Sequence, residues 1–214
     1  MSTLSEIFNK HNCDKGSSPN GKGIAHHYYV EYEKEMSKRR YDPIKILEVG
    51  VWKGTSHMSW HEYFPNAEIY GIDTFGRIAE KNIPILEKER VHHIKGSSIV
   101  PEIGDQVKEK WGTDIRFDFI IDDGLHFPEA NELTFRHLIE HLSDDGIFYI
   151  EDAWPIHIMS DKEIQHNWIR KNTNEYNILK MYKFINTISE YNVEEIDLRK
   201  VSGHPDSYIF KVTK

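Results

Sequence analysis

Acidic and imidazole side chains recur in this chain at the ends of short apolar runs, and they set the chemistry open to it. The run FDFIIDDG leads into Ile121-Asp122-Asp123-Gly124-Leu125-His126, and the run GIFYIED ends in Ile150-Glu151-Asp152. As neighbouring strands, these runs bring four carboxylates and one imidazole to a single rim. Carboxylates that close repel one another and raise each other's pKa. A divalent cation removes the conflict, and oxygen ligands favour Mg²⁺, Ca²⁺ or Mn²⁺ over zinc. The plainer use of such acids is to cap the following helices; one or two fit that use, four do not. Three residues after Asp123, His126 fits a general base with a pKa near working pH. Standing alone, it would more often be structural.

A second set lies upstream. ILEVGVWKGTS carries Glu48, Gly50, Gly54 and Ser56 through a glycine-containing strand-to-helix turn. YGID then ends in Asp73, at the distance where a carboxylate grips a nucleoside ribose. A dinucleotide fingerprint needs glycines at 50, 52 and 55, but Trp52 and Thr55 stand at two of those places. The turn therefore suits a nucleoside without a pyrophosphate and disfavours a nicotinamide-dependent reductase. A tight turn beside a surface aspartate is the bland alternative.

Positioning these residues requires parallel strands. Ile44 to Gly50, Ala67 to Asp73, Val91 to Gly96 and Phe117 to Gly124 read as strands, and Asp145-Gly146 reads as a turn into a fifth that ends at Asp152. Helical patterns over Thr55 to Tyr63, Pro101 to Trp111 and Pro128 to Leu142 separate them, while roughly Ile78 to Lys88 is a polar segment. Strand alternating with helix implies βαβ units and a sheet covered on both faces, with ligands outside the strands' carboxyl ends. Residues 5–40 read as a helical extension interrupted by a loop from Gly16 to Gly23, with Tyr28, Tyr29, Tyr32 and Met36 in its apolar stripe. Glu175 to Glu190 reads as a helix. VEEIDLRKV and SYIFKVTK, separated by Gly203-His204-Pro205-Asp206, read as an antiparallel hairpin.

The 214 residues carry 27 Lys+Arg and 35 Asp+Glu, a net charge of -8. Without a dense basic block, nucleic acid and anionic membranes are not expected partners. Cys13 is the only cysteine, which excludes disulfide scaffolds and cysteine-rich zinc sites. MSTLSEIFNKHNCDKG lacks the apolar core of a signal peptide, and no run nears the ~18 apolar residues of a membrane span. The expectation is one cytoplasmic domain over 1–214, with a helical extension at 1–43.

Taken in order, the motifs resemble class I S-adenosylmethionine-dependent methyltransferases. More narrowly, the chain is similar to the metal-dependent sugar O-methyltransferases of macrolide tailoring and their cephalosporin-hydroxylase-like relatives. The matching stretches are DKG at 14–16, His26-x-Tyr28-xxx-Tyr32-Glu33, ILEVGVWKGTS, YFPNAEIYGID, FDFIIDDGLH and GIFYIED. The resemblance implies a Rossmann-like, doubly wound α/β fold: a mostly parallel seven-stranded sheet closed by the C-terminal hairpin.

It also implies roles. Glu48, Gly50, Gly54 and Ser56 would surround the methionine part of S-adenosyl-L-methionine, and Asp73 would hold its ribose. Asp122 would orient the cofactor or its loop. Asp123, Glu151 and Asp152 match ligands of Mg²⁺ (or Mn²⁺), with two adjacent acceptor hydroxyls completing the octahedron, and His126 matches the base. Where the family has a Gly-Asp pair near the adenine, this chain has Gly96-Ser97-Ser98, so Ser97 would supply a hydroxyl instead. Leu125 replaces a small residue and narrows the acceptor side. The expected reaction is methyl transfer to a hydroxyl of a sugar or glycosylated small molecule. The acceptor would be met by residues 153–192, where Trp154, His157, Trp168, Tyr176 or Tyr182 could stack on a sugar ring. Tyr28 and Tyr32 could lid the cofactor or meet a second subunit, which leaves a homo-oligomer open. A nucleoside-binding protein without catalysis is the other alternative, and the intact acids and His126 argue against it.

Overall fold

The apolar runs assemble into one seven-stranded sheet in the computed structural model, which describes residues 2–19, 23–164 and 175–214. The strands are β1 (Lys45–Val49), β2 (Glu68–Asp73), β3 (Val91–Lys95), β4 (Phe117–Asp122), β5 (Leu142–Ile150), β6 (Asn192–Asp197) and β7 (Tyr208–Thr213). Their order is β3-β2-β1-β4-β5-β7-β6. The first five are parallel, whereas β7 runs antiparallel to β5 and β6 antiparallel to β7. The order reverses between β1 and β4, the place where open sheets of this kind bind ligands.

Helices cover both faces. α1 (Leu4–Lys10), α2 (Tyr29–Met36) and α3 (Thr55–Tyr63) lie on one; α4 (Glu102–Trp111), α5 (Pro128–Leu138) and α7 (Glu175–Ile188) on the other. The short helices α6 (Asp161–Ile164) and α8 (Arg199–Ser202) sit in connections. Thr3 starts α1 with a capping box to Glu6, and the helix docks by aromatic edges. Phe8 meets Trp60 with ring centroids 4.9 Å apart, and Tyr32 meets Trp60 at 5.3 Å and Tyr149 at 5.0 Å. Such pairs add about 0.5–1.5 kcal/mol each beyond burial, so the N-terminal segment is fastened to the sheet.

Strand periodicity decides which acids share a face. Ile46, Phe119, Ile121, Ile147 and Tyr149 join the core beneath α1–α3, while Leu47, Val49, Ile120, Phe148 and Ile150 join the opposite core. By the same parity Glu48, Asp123 and Glu151 turn toward the N-terminal helices.

Three elements depart from the sequence reading. β5 begins at Leu142, and Asp145-Gly146 lies inside it: the register with β4 jumps from Phe117↔Leu142 to Phe119↔Ile147, so these residues form a bulge rather than a turn. Helix α5 therefore gives way at Ile139–His141 to a tight 3₁₀ turn. Arg199–Ser202 coils into α8, which lengthens the link between the two hairpin strands.

Candidate active site at the carboxyl ends of the strands

Backbone strain gathers on one rim. Of the seven non-glycine residues with left-handed φ among the described residues, Trp52 (46°), Phe75 (52°), His126 (58°) and Asp152 (48°) follow β1, β2, β4 and β5. Each costs on the order of 1–3 kcal/mol, and such residues cluster where a site needs them. Gly50 forms the seam (φ 92°), because a Cβ there would lie 2.0 Å from the carbonyl oxygen of Asp123.

On the β1–β3 side, the half-buried carboxylate of Asp73 accepts the Trp52 N–H (2.9 Å) and the Phe75 N–H (2.6 Å). Each oxygen keeps a lone pair for a ligand hydroxyl. Gly54 opens α3 from a left-handed φ of 73°. Two expectations of direct contact are corrected. Glu48 is fully buried behind the turn, accepting from Ser56 Oγ (2.6 Å) and Trp60 Nε1 (3.2 Å), so Ser56 is likewise turned inward. Burial pushes the Glu48 carboxyl up, but Lys15, His57 and Ser56 outweigh it and bring it to about 2. The Glu48–Ser56 pair stiffens the turn from behind. Ser97 stays half-buried after β3 while the neighbouring Ser98 hydroxyl bonds Thr134 (2.7 Å).

On the β4–β5 side, Asp122 is also taken up internally: it accepts Gly124 N–H (3.2 Å) and Asn131 Nδ2 (3.0 Å), and burial lifts it to about 6. Both its oxygens are thus taken up within the loop and helix that follow β4. His126 Nε2 lies 3.7 Å from Asp123 Oδ1 and 3.8 Å from Asp152 Oδ2. One donor atom from each of these three residues falls within 4.8 Å of the others. Glu151 departs from the expected set. It is buried, with one oxygen on Tyr32 OH and the other on Lys15 Nζ, so neither oxygen faces that point.

The electrostatics are unbalanced. Burial raises the Asp123 carboxyl, and Asp152 adds to the rise against the pull of Lys15 and His126. Glu151 is raised in the same way by burial and its acidic neighbours. Burial disfavours the His126 imidazolium, yet Asp152, Asp123 and Asp122 outweigh it and raise its pKa. His126 Nδ1 is buried and has no hydrogen-bond partner among the described residues. Carboxylates in excess of their counter-charges, two of them turning oxygens to one point, are a donor set that fits a hard divalent cation.

Sequence reasoning missed the N-terminal contribution. Lys15, buried, donates to Asp123 Oδ2 (2.6 Å) and Glu151, with Glu48 at 3.4 Å. Burial opposes its charge, but Asp123, Glu151 and Glu48 prevail and hold it protonated. Tyr28 bonds Asp152, and His26 bonds Ser207 Oγ at 2.7 Å. The signal was present in DKG and His26-x-Tyr28-xxx-Tyr32, which matched a family pattern without a chemical role. Of the aromatic set near the acceptor side, Trp154 is buried in the core, His157 bonds Glu195 (2.9 Å), Tyr176 OH bonds Glu129 and Tyr182 is exposed; Trp168 lies outside the described residues.

Comparison with known proteins bears on the family and the fold. The chain is 29% identical over 158 residues to the 8-demethyl-8-(2-methoxy-alpha-L-rhamnosyl)-tetracenomycin-C 3'-O-methyltransferase of Streptomyces olivaceus, covering 71% of this chain and 37% of that protein. It is 30% identical over 139 residues to the mycinamicin VI 2''-O-methyltransferase of Micromonospora griseorubida, covering 62% and 33%. It thus spans about a third of the length of these relatives. The fold matches the MycE methyltransferase of the mycinamycin biosynthetic pathway, solved with Mg, SAH and mycinamycin VI, at TM-score 0.68 and 21% identity, over 100% of this chain and 54% of that one. It also matches the SAH-bound Podospora anserina methyltransferase PaMTH1 at TM-score 0.61 and 16% identity, over 100% and 88%. At those identities the likeness is one of fold. A methyltransferase-domain family model covers residues 47–153, half the chain, from β1 to just past the acids after β5, and the chain belongs to that family.

Proposed function

We propose that this chain is an O-methyltransferase. It binds S-adenosyl-L-methionine on the β1–β3 side and a divalent cation, Mg²⁺ or Mn²⁺, on the β4–β5 side, and it methylates a hydroxyl of a sugar or glycosylated small molecule. The observation that carries the reading is the meeting of two built half-sites at the Gly50–Asp123 seam. The relatives' activities on glycosylated compounds support the choice of acceptor.

Gly50 and Gly54 would let the backbone approach the methionine part, Asp73 would accept the ribose hydroxyls, and Ser97 would face the adenine; Glu48, Ser56 and Asp122 hold the turns that place them. Asp123 and Asp152 would hold the cation through the oxygens they turn toward His126, while Glu151 adds charge from behind. When bound, the cation supplies positive charge that acidifies an acceptor hydroxyl and offsets the carboxylate field on His126. His126 Nε2 accepts the proton as the acceptor oxygen bonds to the methyl carbon and the carbon–sulfur bond breaks, leaving S-adenosylhomocysteine. The acceptor would be met by the described parts of 153–192, residues 153–164 and 175–192; residues 165–174 lie outside the described residues. The protein's part is alignment and charge control.

Radiolabelled S-adenosylmethionine offered with a panel of sugars and glycosides tests this. Transfer to at least one glycoside is expected. EDTA should abolish it, and Mg²⁺ or Mn²⁺ should restore it, while S-adenosylhomocysteine still binds. Full turnover after exhaustive chelation would return the acids to helix capping, and absence of S-adenosylhomocysteine binding would remove the cofactor.

A further inference from the structure

The two aspartates that face His126 are each held by the N-terminal segment through the oxygen that does not face it. Asp123 gives Oδ2 to Lys15 Nζ (2.6 Å) and leaves Oδ1 toward His126. Asp152 gives Oδ1 to Tyr28 OH and leaves Oδ2 toward His126. Tyr28 grips Asp152 twice, because its hydroxyl oxygen also accepts the Asp152 backbone N–H (3.2 Å). That second bond bears on the left-handed φ of 48° that turns Asp152 away from the direction strand parity would give it. The segment is itself stitched together: His26 N–H donates to Asp14 carbonyl oxygen (2.7 Å) and Tyr29 N–H to that of Lys15 (2.9 Å).

We infer that Lys15 and Tyr28 are positioning residues for the cation site: they anchor the distal oxygens of Asp123 and Asp152 so that the proximal oxygens converge. A free carboxylate rotates about its last bond and presents either oxygen, so anchoring one fixes the direction of the other. Lys15 does this at a cost, since it places a positive charge beside the cation. That cost is tolerable because its ammonium also faces the buried carboxyls of Glu151 and Glu48. Partners that orient ligands in this way commonly account for 10- to 100-fold in metal affinity. The inference rests on the cation reading above and assigns that site a part outside the methyltransferase-domain match, which begins at residue 47.

The test is titration of the purified protein with Mn²⁺, read by the loss of the free-ion electron paramagnetic resonance signal, beside calorimetry with S-adenosylhomocysteine and thermal melting. Tyr28→Phe removes one hydroxyl and leaves Asp152 beside His26 (3.7 Å) and His126 (3.8 Å), so it is the milder variant and carries the test if Lys15→Met does not fold. Expected are an about tenfold weaker Mn²⁺ Kd for Tyr28→Phe and a loss toward 100-fold for Lys15→Met. Lys15→Arg should recover part of that loss, with the S-adenosylhomocysteine Kd within about twofold throughout. Unchanged Mn²⁺ affinity in Tyr28→Phe and Lys15→Met overturns the inference. So does tighter binding in Lys15→Met, which makes Lys15 a competitor of the cation. A parallel fall in both affinities and in Tm overturns it too, by making the segment mere scaffold. If the unaltered protein takes up no Mn²⁺, the cation reading itself fails, an outcome distinct from losses confined to the variants.

Discussion

The two sides of the rim are built by different means. The β1–β3 side is comparatively local: Asp73 is held by Trp52 and Phe75 N–H groups, 21 and 2 residues away, and Glu48 by Ser56 and Trp60, 8 and 12 residues away. The β4–β5 side is assembled from afar. Lys15 meets Asp123 across 108 residues, and Tyr32 and Tyr28 meet Glu151 and Asp152 across 119 and 124. The local side holds Asp73 with backbone N–H groups and Glu48 with a hydroxyl and an indole N–H, helped by Lys15; the distant side crowds carboxylates and leaves His126 Nδ1 without a hydrogen-bond partner among the described residues. A local turn can be preformed, whereas a crowded acid cluster requires the whole fold to hold it.

The largest expected effect separates the sides at His126. His126→Ala should lower kcat by about 10²–10⁴-fold, the usual contribution of a positioned base. The S-adenosylhomocysteine Kd and Tm should barely move, because the charged neighbours of His126 Nε2 are Asp123 and Asp152 on the cation side. A histidine that only braces the loop predicts the reverse, a lower Tm with kcat retained. That result would break the comparison by making the distant side structural.

Asp73→Ala should act on the other side alone. Losing a charged acceptor to ribose hydroxyls should weaken S-adenosylhomocysteine by about 2–3 kcal/mol, roughly 30- to 150-fold. The Mn²⁺ affinity should stay within about twofold. Because Asp73 also fixes the Trp52 and Phe75 turns, Asp73→Asn separates the two uses: it keeps one acceptor for the turn but removes the charge. Equal losses of cofactor and cation affinity in Asp73→Ala would mean that the sides are coupled through the Gly50 seam.

The same contrast explains what could be read in advance. The strands, the order of motifs, helix α3 over Thr55–Tyr63 and the C-terminal pairing follow from periodicity and turn chemistry, which act over short distances. The β5 bulge was missed because Asp-Asp-Gly is turn chemistry in either setting, and only pairing with β4 decides. Asp73, Asp123 and Asp152 were legible as strand-end acids. The inward turn of Glu48, Ser56 and Asp122 depends on how the following turn and helix fold back on each strand end, and the capture of Glu151 by Lys15 and Tyr32 depends on partners distant in sequence. Spacing along the chain cannot show this, since the parity that sends Glu151 inward has meaning only once α1 and α2 cover that face.

The smallest effect tests how far the N-terminal anchoring extends. Lys211 on β7 bonds Glu35 (2.7 Å) and reaches Glu31 (3.2 Å) and Glu194 (3.1 Å), tying α2 to the hairpin. The Lys211 hydrogen bond lowers the Glu35 carboxyl, a pull that burial opposes without cancelling and that Lys34 reinforces. A carboxyl lowered on folding adds stability above its unfolded pKa, and the gain disappears as pH falls through the folded value. Glu35→Gln should therefore cost about 0.5–1 kcal/mol near neutrality, given its partly solvated setting. The difference from wild type should shrink in melts taken from pH 6 down toward pH 3. Lys211 keeps Glu31 and Glu194, so α2 stays docked and the Mn²⁺ Kd should hold within about twofold. If Glu35→Gln instead weakens Mn²⁺ as much as Tyr28→Phe does, the cation side is positioned by the whole N-terminal segment, not by the two residues that touch its aspartates.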